Sequence, residues 1–97
     1  MLTIQEREDT LVFTFSGRLD TTECLQLDQR LAAAIEGASL PVVFDLDGVD
    51  YVASMFLRIC VTAGKRVGFE KLRLVNVTPS VKKVLKIAGL DAHLTVE

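Results

Sequence analysis

Long apolar runs are missing from this chain of 97 residues: no stretch approaches the roughly 20 residues of a helical membrane span. The N-terminus alternates from Leu2 onward and lacks the basic leader and apolar core of a secretory signal. Both absences predict a cytoplasmic protein, or a soluble subunit of something larger. Histidine occurs once, as His93, in a strand-like pattern far along the chain from any candidate nucleophile, so serine hydrolase chemistry has no base to draw on. Cysteine occurs twice, as Cys24 and Cys60, without Cys-x-x-Cys spacing or a nearby histidine. That disfavours a metal or redox pair and predicts buried free thiols. Gly48 and Gly64 stand too far apart to build a phosphate-cradling loop. A strong excess of one charge is missing too: the net charge of -2 gives no sign of nucleic-acid binding.

What is present suits one folded domain spanning residues 1–97. Hydrophobic residues make up 49% of the chain and charged ones 25%, which is enough apolar material for a continuous core. The charge is unevenly spread. Residues 1–50 hold three basic and ten acidic side chains, and residues 51–97 hold eight and three. Folding is expected to interleave the two halves, so the asymmetry predicts faces of opposite sign and nothing further.

Two periodicities alternate along the chain. Leu2–Gln5 and Leu11–Ser16 alternate in polarity around a charged turn at Glu6–Asp9, the pattern of an antiparallel hairpin with one buried face. Cys24, Leu27, Leu31, Ala34 and Ile35 then recur at helical spacing, with Asp20 or Thr21 as cap and Gly37 as stop. Val42–Leu46 is apolar on both faces, as for a central strand covered on two sides or flanked by parallel neighbours. A second helix is predicted from Ser54 to about Val67, and a further strand at Leu72–Val75. Thr78-Pro79 opens a third helix with Val81, Val84, Leu85 and Ala88 inward and Gly89 as stop. His93–Val96 reads as a last short strand. The order ββαβαβαβ predicts an α/β domain with a mixed sheet, an N-terminal hairpin and helices packed on it.

Sites in open α/β sheets lie beyond the C-terminal ends of the strands, which directs attention to "DLDGVDYVASMFL" at residues 45–57. Asp45, Asp47 and Asp50, with Asp20, could hold a divalent metal. No Asn, Glu or His completes a ligand set, and capping turns and helix starts is the better account of the carboxylates. Ser54 has two readings: an N-cap of the second helix, or a phospho-acceptor favoured by the dipole and open N–H groups of a helix start. Lys82, Lys83 and Lys86 form a basic ridge with no interleaved aromatics, a solvated face rather than a nucleic-acid site.

Three segments in order resemble STAS domains, and within them the bacterial anti-sigma factor antagonists: "SGRLDTTE" at 16–23, "VVFDLDGVDYVASMFL" at 42–57 and "LRLVNVTPSVKKVLKIAGLDAHLTV" at 72–96. The resemblance implies a protein that binds an anti-sigma factor or serine-kinase-like regulator and is released by phosphorylation of a serine in the loop after the third strand. Where such domains have Asp-Ser-Ser-Gly-Leu, this chain has Ala53-Ser54-Met55-Phe56-Leu57. The usual acceptor is thus Met55, and Ser54 is the remaining hydroxyl. Met55 and Phe56 form either an exposed apolar knob or an extension of the core.

The function so implied is a non-enzymatic interaction module that binds its partner through residues 47–61 without the usual phospho-switch. Asp20, Asp50, Ser54, Met55, Phe56 and Arg58 are the candidate contacts. The alternative is a ligand-sensing STAS domain or the soluble subunit of a lipid or anion transport system. No catalytic residue, metal or cofactor is implied, nor direct membrane insertion, and a homodimer stays open.

Overall fold

The computed structural model describes residues 2–36 and 40–97. The expected stop of the first helix, Gly37, lies outside them. Strands β1 (Leu2–Arg7) and β2 (Thr10–Ser16) form the antiparallel hairpin, with Leu2 opposite Phe15 and Arg7 opposite Thr10. Helix α1 (Thr21–Ile35) leads to β3 (Val42–Gly48), α2 (Ser54–Val67) to β4 (Leu72–Val75), and α3 (Pro79–Ile87) to β5 (Thr95–Val96). The order is ββαβαβαβ. Single turns of 3-10 helix precede β4 at Phe69–Lys71 and β5 at Leu90–Ala92. The last strand is therefore two residues shorter than its polarity pattern predicts, because His93 and Leu94 still belong to the approach from that turn.

The five strands lie in the order β1-β2-β3-β4-β5, and every pair after the hairpin is parallel. Each crossover advances one place in the same direction, so right-handed connections put all three helices on one face of the sheet. Burial follows that face. Phe13, Phe15, Val42, Phe44, Leu46, Leu72 and Leu74 are buried, while Val12, Thr14, Val43 and Asp45 on the other face are only half-buried. Of the two explanations for the apolar run at β3, flanking by parallel neighbours is the correct one. Its second face has no layer over it.

Strand order also equals chain order, so, contrary to the expectation from sequence, folding does not interleave the acidic and basic halves. Residues up to Gly48 build β1 to β3 with α1, and the rest build β4 and β5 with α2 and α3. The charge asymmetry of the sequence therefore becomes a charge gradient across the sheet.

Aromatic rings centre the core. Phe15 meets Phe44 edge-on at 5.2 Å and Phe56 of α2 at 5.4 Å, the geometry that ring quadrupoles favour. α3 is the exception to good coverage: Val81 and Leu85 are buried, but Val84 and Ile87 are exposed and so is Ala88. The four-residue inward stripe predicted for it shrinks to two positions a turn apart, since a nine-residue helix at the sheet's last strands meets the core along a narrow line.

Candidate functional site

At the C-terminal ends of β2 and β3 the parallel pairing slips by one residue, from Thr14 opposite Asp45 to Ser16 opposite Gly48. Such a bulge redirects the chain at the rim of a sheet. Beyond it the loops after β2 and β3 run side by side. Gly17 N–H donates to Gly48 O at 3.1 Å, Leu19 N–H to Tyr51 O at 3.0 Å, and Ala53 N–H to Leu19 O at 2.8 Å. From the other side the start of α3 holds the same loop: Thr78 Oγ1 donates to Val49 O at 3.0 Å and Ser80 Oγ to Asp50 O at 3.3 Å. Val49 and Val52 are buried beneath it. The loop is thus clamped by its backbone from two directions, with its polar side chains left to face outward.

The expected contact residues fall into distinct places. Asp20 caps α1, its Oδ1 accepting from Glu23 N–H at 2.9 Å, which selects it over Thr21. Asp50 is exposed. Asp45 braces the loop instead of facing a ligand, its Oδ1 accepting from Asp47 N–H and from Asn76 Nδ2, both at 3.1 Å. Among the described residues, no group of three or more His, Cys, Asp or Glu is arranged to hold a metal ion. Ser54 is not the cap of α2. Ala53 occupies that position without any side-chain cap bond, and Ser54 is the first helical residue, because Ala53 N–H is already committed to Leu19 and holds the chain extended up to that point. The Ser54 side chain is exposed.

Met55 and Phe56 part company. Phe56 is fully buried in the aromatic cluster, so it cannot touch a partner; the knob reading fails for it because it falls in line with Cys60, Ala63 and Val67 on the inward stripe. Met55 is half-buried and lines a groove of about 290 Å³ between α1 and α2, together with Asp28, Arg58, Ile59 and Thr62. Arg58, one turn after Ser54, is exposed.

Two residues were not anticipated. The guanidinium carbon of Arg18 lies 3.8 Å from the centre of the Tyr51 ring, a cation–π stack joining the two loops. Tyr51 is the chain's only tyrosine and sits within the acidic turn, a signal that was available; the stacking partner was not, because only the fold brings residue 18 to it. Beneath the site, Cys24 and Cys60 are buried free thiols. Burial pushes the Cys60 thiol far up, and Cys24 adds to it. Burial also raises Cys24, followed by the charges of Asp20, Glu23 and Asp28. Neither thiol is poised for chemistry. The single histidine, His93, lies against Phe69 with ring centres 6.0 Å apart, ahead of β5 and at the opposite end of the strands from Ser54.

Comparison with known proteins agrees with this geometry. A family model described as the STAS domain matches residues 1–97. The Bordetella bronchiseptica protein BtrV, described as a candidate anti-sigma factor antagonist, is 29% identical over 90 residues, covering 91% of this chain and 78% of the relative. The structure of an anti-sigma-factor antagonist (STAS) domain protein from Planctomyces limnophilus superposes with a TM-score of 0.88 at 28% identity, over 98% of this chain and 87% of that one. An anti-sigma factor antagonist from Mycobacterium paratuberculosis shares the fold, with a TM-score of 0.87 at 23% identity over 99% of this chain and 83% of that one. No helix among the described residues is long and apolar enough to cross a membrane.

Proposed function

The chain belongs to the STAS domain family, and we propose that it acts as an anti-sigma factor antagonist, a non-enzymatic module that binds a regulator of the anti-sigma or serine-kinase type. Binding uses the clamped loop after β3 and the first turns of α2, residues 47–61, with Asp50, Tyr51, Ser54, Met55 and Arg58 as contacts and Asp20 and Arg18 at the margin. The observation that carries the proposal is the loop itself. Its backbone is hydrogen-bonded on both sides, so its side chains are presented to a partner with little ordering left to do on binding.

The usual phospho-switch is absent from this reading. Met55 has no hydroxyl, and its side chain lines the groove. Ser54 is the only hydroxyl in residues 53–57. A phosphate there would meet open N–H groups at the helix start and Arg58 one turn on, so Ser54 is where a surviving switch would have to act.

Affinity capture from the source cells tests the proposal. The wild-type chain should retain an anti-sigma factor or serine-kinase-like regulator, and the double variant Tyr51→Asp/Ser54→Lys should not. Recovery of a membrane transport complex instead would overturn the antagonist reading in favour of a transport subunit.

A further inference from the structure

The ends of α2 and α3 form a corner of the molecule that the loop at the other end of the strands does not use. Both helices run back against the parallel strands they connect, so Val67 and Ile87 close at the same rim, where β3, β4 and β5 begin. The contact of Phe69 with His93, ring centres 6.0 Å apart, ties the two ends together. Lys65 and Arg66 stand in the last turn of α2, Lys71 just before β4, and Lys83 and Lys86 on α3 towards its end. All five are exposed, and none of their side chains makes an ion pair or hydrogen bond among the described residues. Ile87, with Lys83 one turn before it on the same face, is 77% exposed, the barest large apolar side chain among the described residues. The helix dipole accounts for Lys65, Arg66 and Lys86 in last turns. It accounts neither for Lys71 and Lys83 nor for a bare isoleucine among cations. Glu70 and Asp91 are the acids of this corner, too few to neutralise it. The loop carboxylates Asp47 and Asp50 lie the length of β3 away, about 20 Å, beyond a screening length of about 8 Å. Glu8 and Asp9 of the hairpin turn, and Glu36 after α1, share the rim on its β2 side, and β2 is two strand spacings, about 10 Å, from β4.

We infer that this corner rests on an anionic phospholipid surface, with Ile87 entering between headgroups and the five cations lying against lipid phosphates. The occupant follows from charge and shape. Four of the cations are lysines, point charges without a fixed fork, which suit phosphates free to move towards them better than carboxylates held in place by a folded partner. An isoleucine standing clear of its neighbours needs no preformed pocket in a lipid interface, whereas a protein would have to supply one. The contact is peripheral, since neither helix is long and apolar enough to cross a membrane. It leaves the loop at the far rim free and does not depend on the antagonist reading. A chain that does both presents its regulator at a membrane surface.

Co-sedimentation of the full chain with lipid vesicles tests this without any regulator. Vesicles of phosphatidylglycerol and phosphatidylcholine in equal parts should retain the chain, and vesicles of phosphatidylcholine alone should not. Raising the salt to about 0.5 M should release it. Lys83→Glu/Lys86→Glu should weaken retention at least about tenfold and Ile87→Ser about fivefold, while Leu25→Ser on α1 leaves it unchanged; circular dichroism checks that each variant is folded. No retention by the anionic vesicles, or equal retention by both kinds, overturns the inference. So does retention that survives either the charge reversal or Ile87→Ser. If the vesicles fail and the chain instead holds an acidic protein that Lys83→Glu/Lys86→Glu releases, the occupant is a protein and the lipid surface is wrong.

Discussion

Met55 and Phe56 are adjacent, and about 100° of helical rotation separates a side chain in an outer groove from one sealed among aromatic rings. Phe56→Ala should cost about 3–5 kcal/mol in urea unfolding, as for other emptied aromatic sites, whereas Met55→Ser should shift stability by no more than about 1 kcal/mol. Their fates were not legible in the sequence because both are apolar. The decision depends on where the helix starts, and that is set by Ala53 N–H bonding Leu19 across to another loop. Caps show the same limit. Asp20 does cap α1, and Asp20→Ala should lower stability by about 1 kcal/mol. Ser54 looks like a better cap by composition, yet the cap position falls to Ala53 and carries no side-chain bond. Ser54→Ala should stay within about 0.5 kcal/mol in the same assay.

Elements were read more securely than residues, since periodicity averages over many positions. Helix α2 runs from Ser54 to Val67 and β4 from Leu72 to Val75, the bounds that spacing and polarity predict. Short elements escaped this, as the narrow contact of α3 and the two residues of β5 show. The join between α2 and β4 holds a constraint invisible to periodicity. A Cβ on Gly64 would clash with Phe69 Cε1, so glycine here lets the Phe69 ring lie on the helix. Gly64→Ala should destabilise by about 1–3 kcal/mol through overpacking. Adding Phe69→Leu should return part of that loss, a coupling that a double-mutant cycle measures directly.

At the scale of the whole molecule, chain order equals strand order, which spreads the acidic and basic halves across the sheet instead of cancelling them. The core beneath the site also sets an alkaline limit. Because burial holds the Cys60 thiol neutral well above its ordinary range, the unfolded chain loses that proton first. Stability is complete below about pH 8.5 and falls as pH rises above it, by up to about 1.4 kcal/mol per pH unit for this thiol. Urea midpoints between about pH 7 and 10 should show that fall above about pH 8.5, and Cys60→Ala should reduce it, leaving the part that the raised Cys24 thiol contributes. The family and fold could be seen in three ordered segments, but the clamp that presents the loop joins residues 17, 19, 78 and 80 to residues 48–53 and exists only in the fold. The central claim is that this clamped loop and α2 form a binding surface without the usual phospho-switch. It is tested most directly by forming the complex with the captured regulator, adding ATP and magnesium, and following complex retention with intact-mass measurement. The complex should persist with no phosphate added to residues 47–61. Release accompanied by one phosphate on Ser54 would contradict the claim.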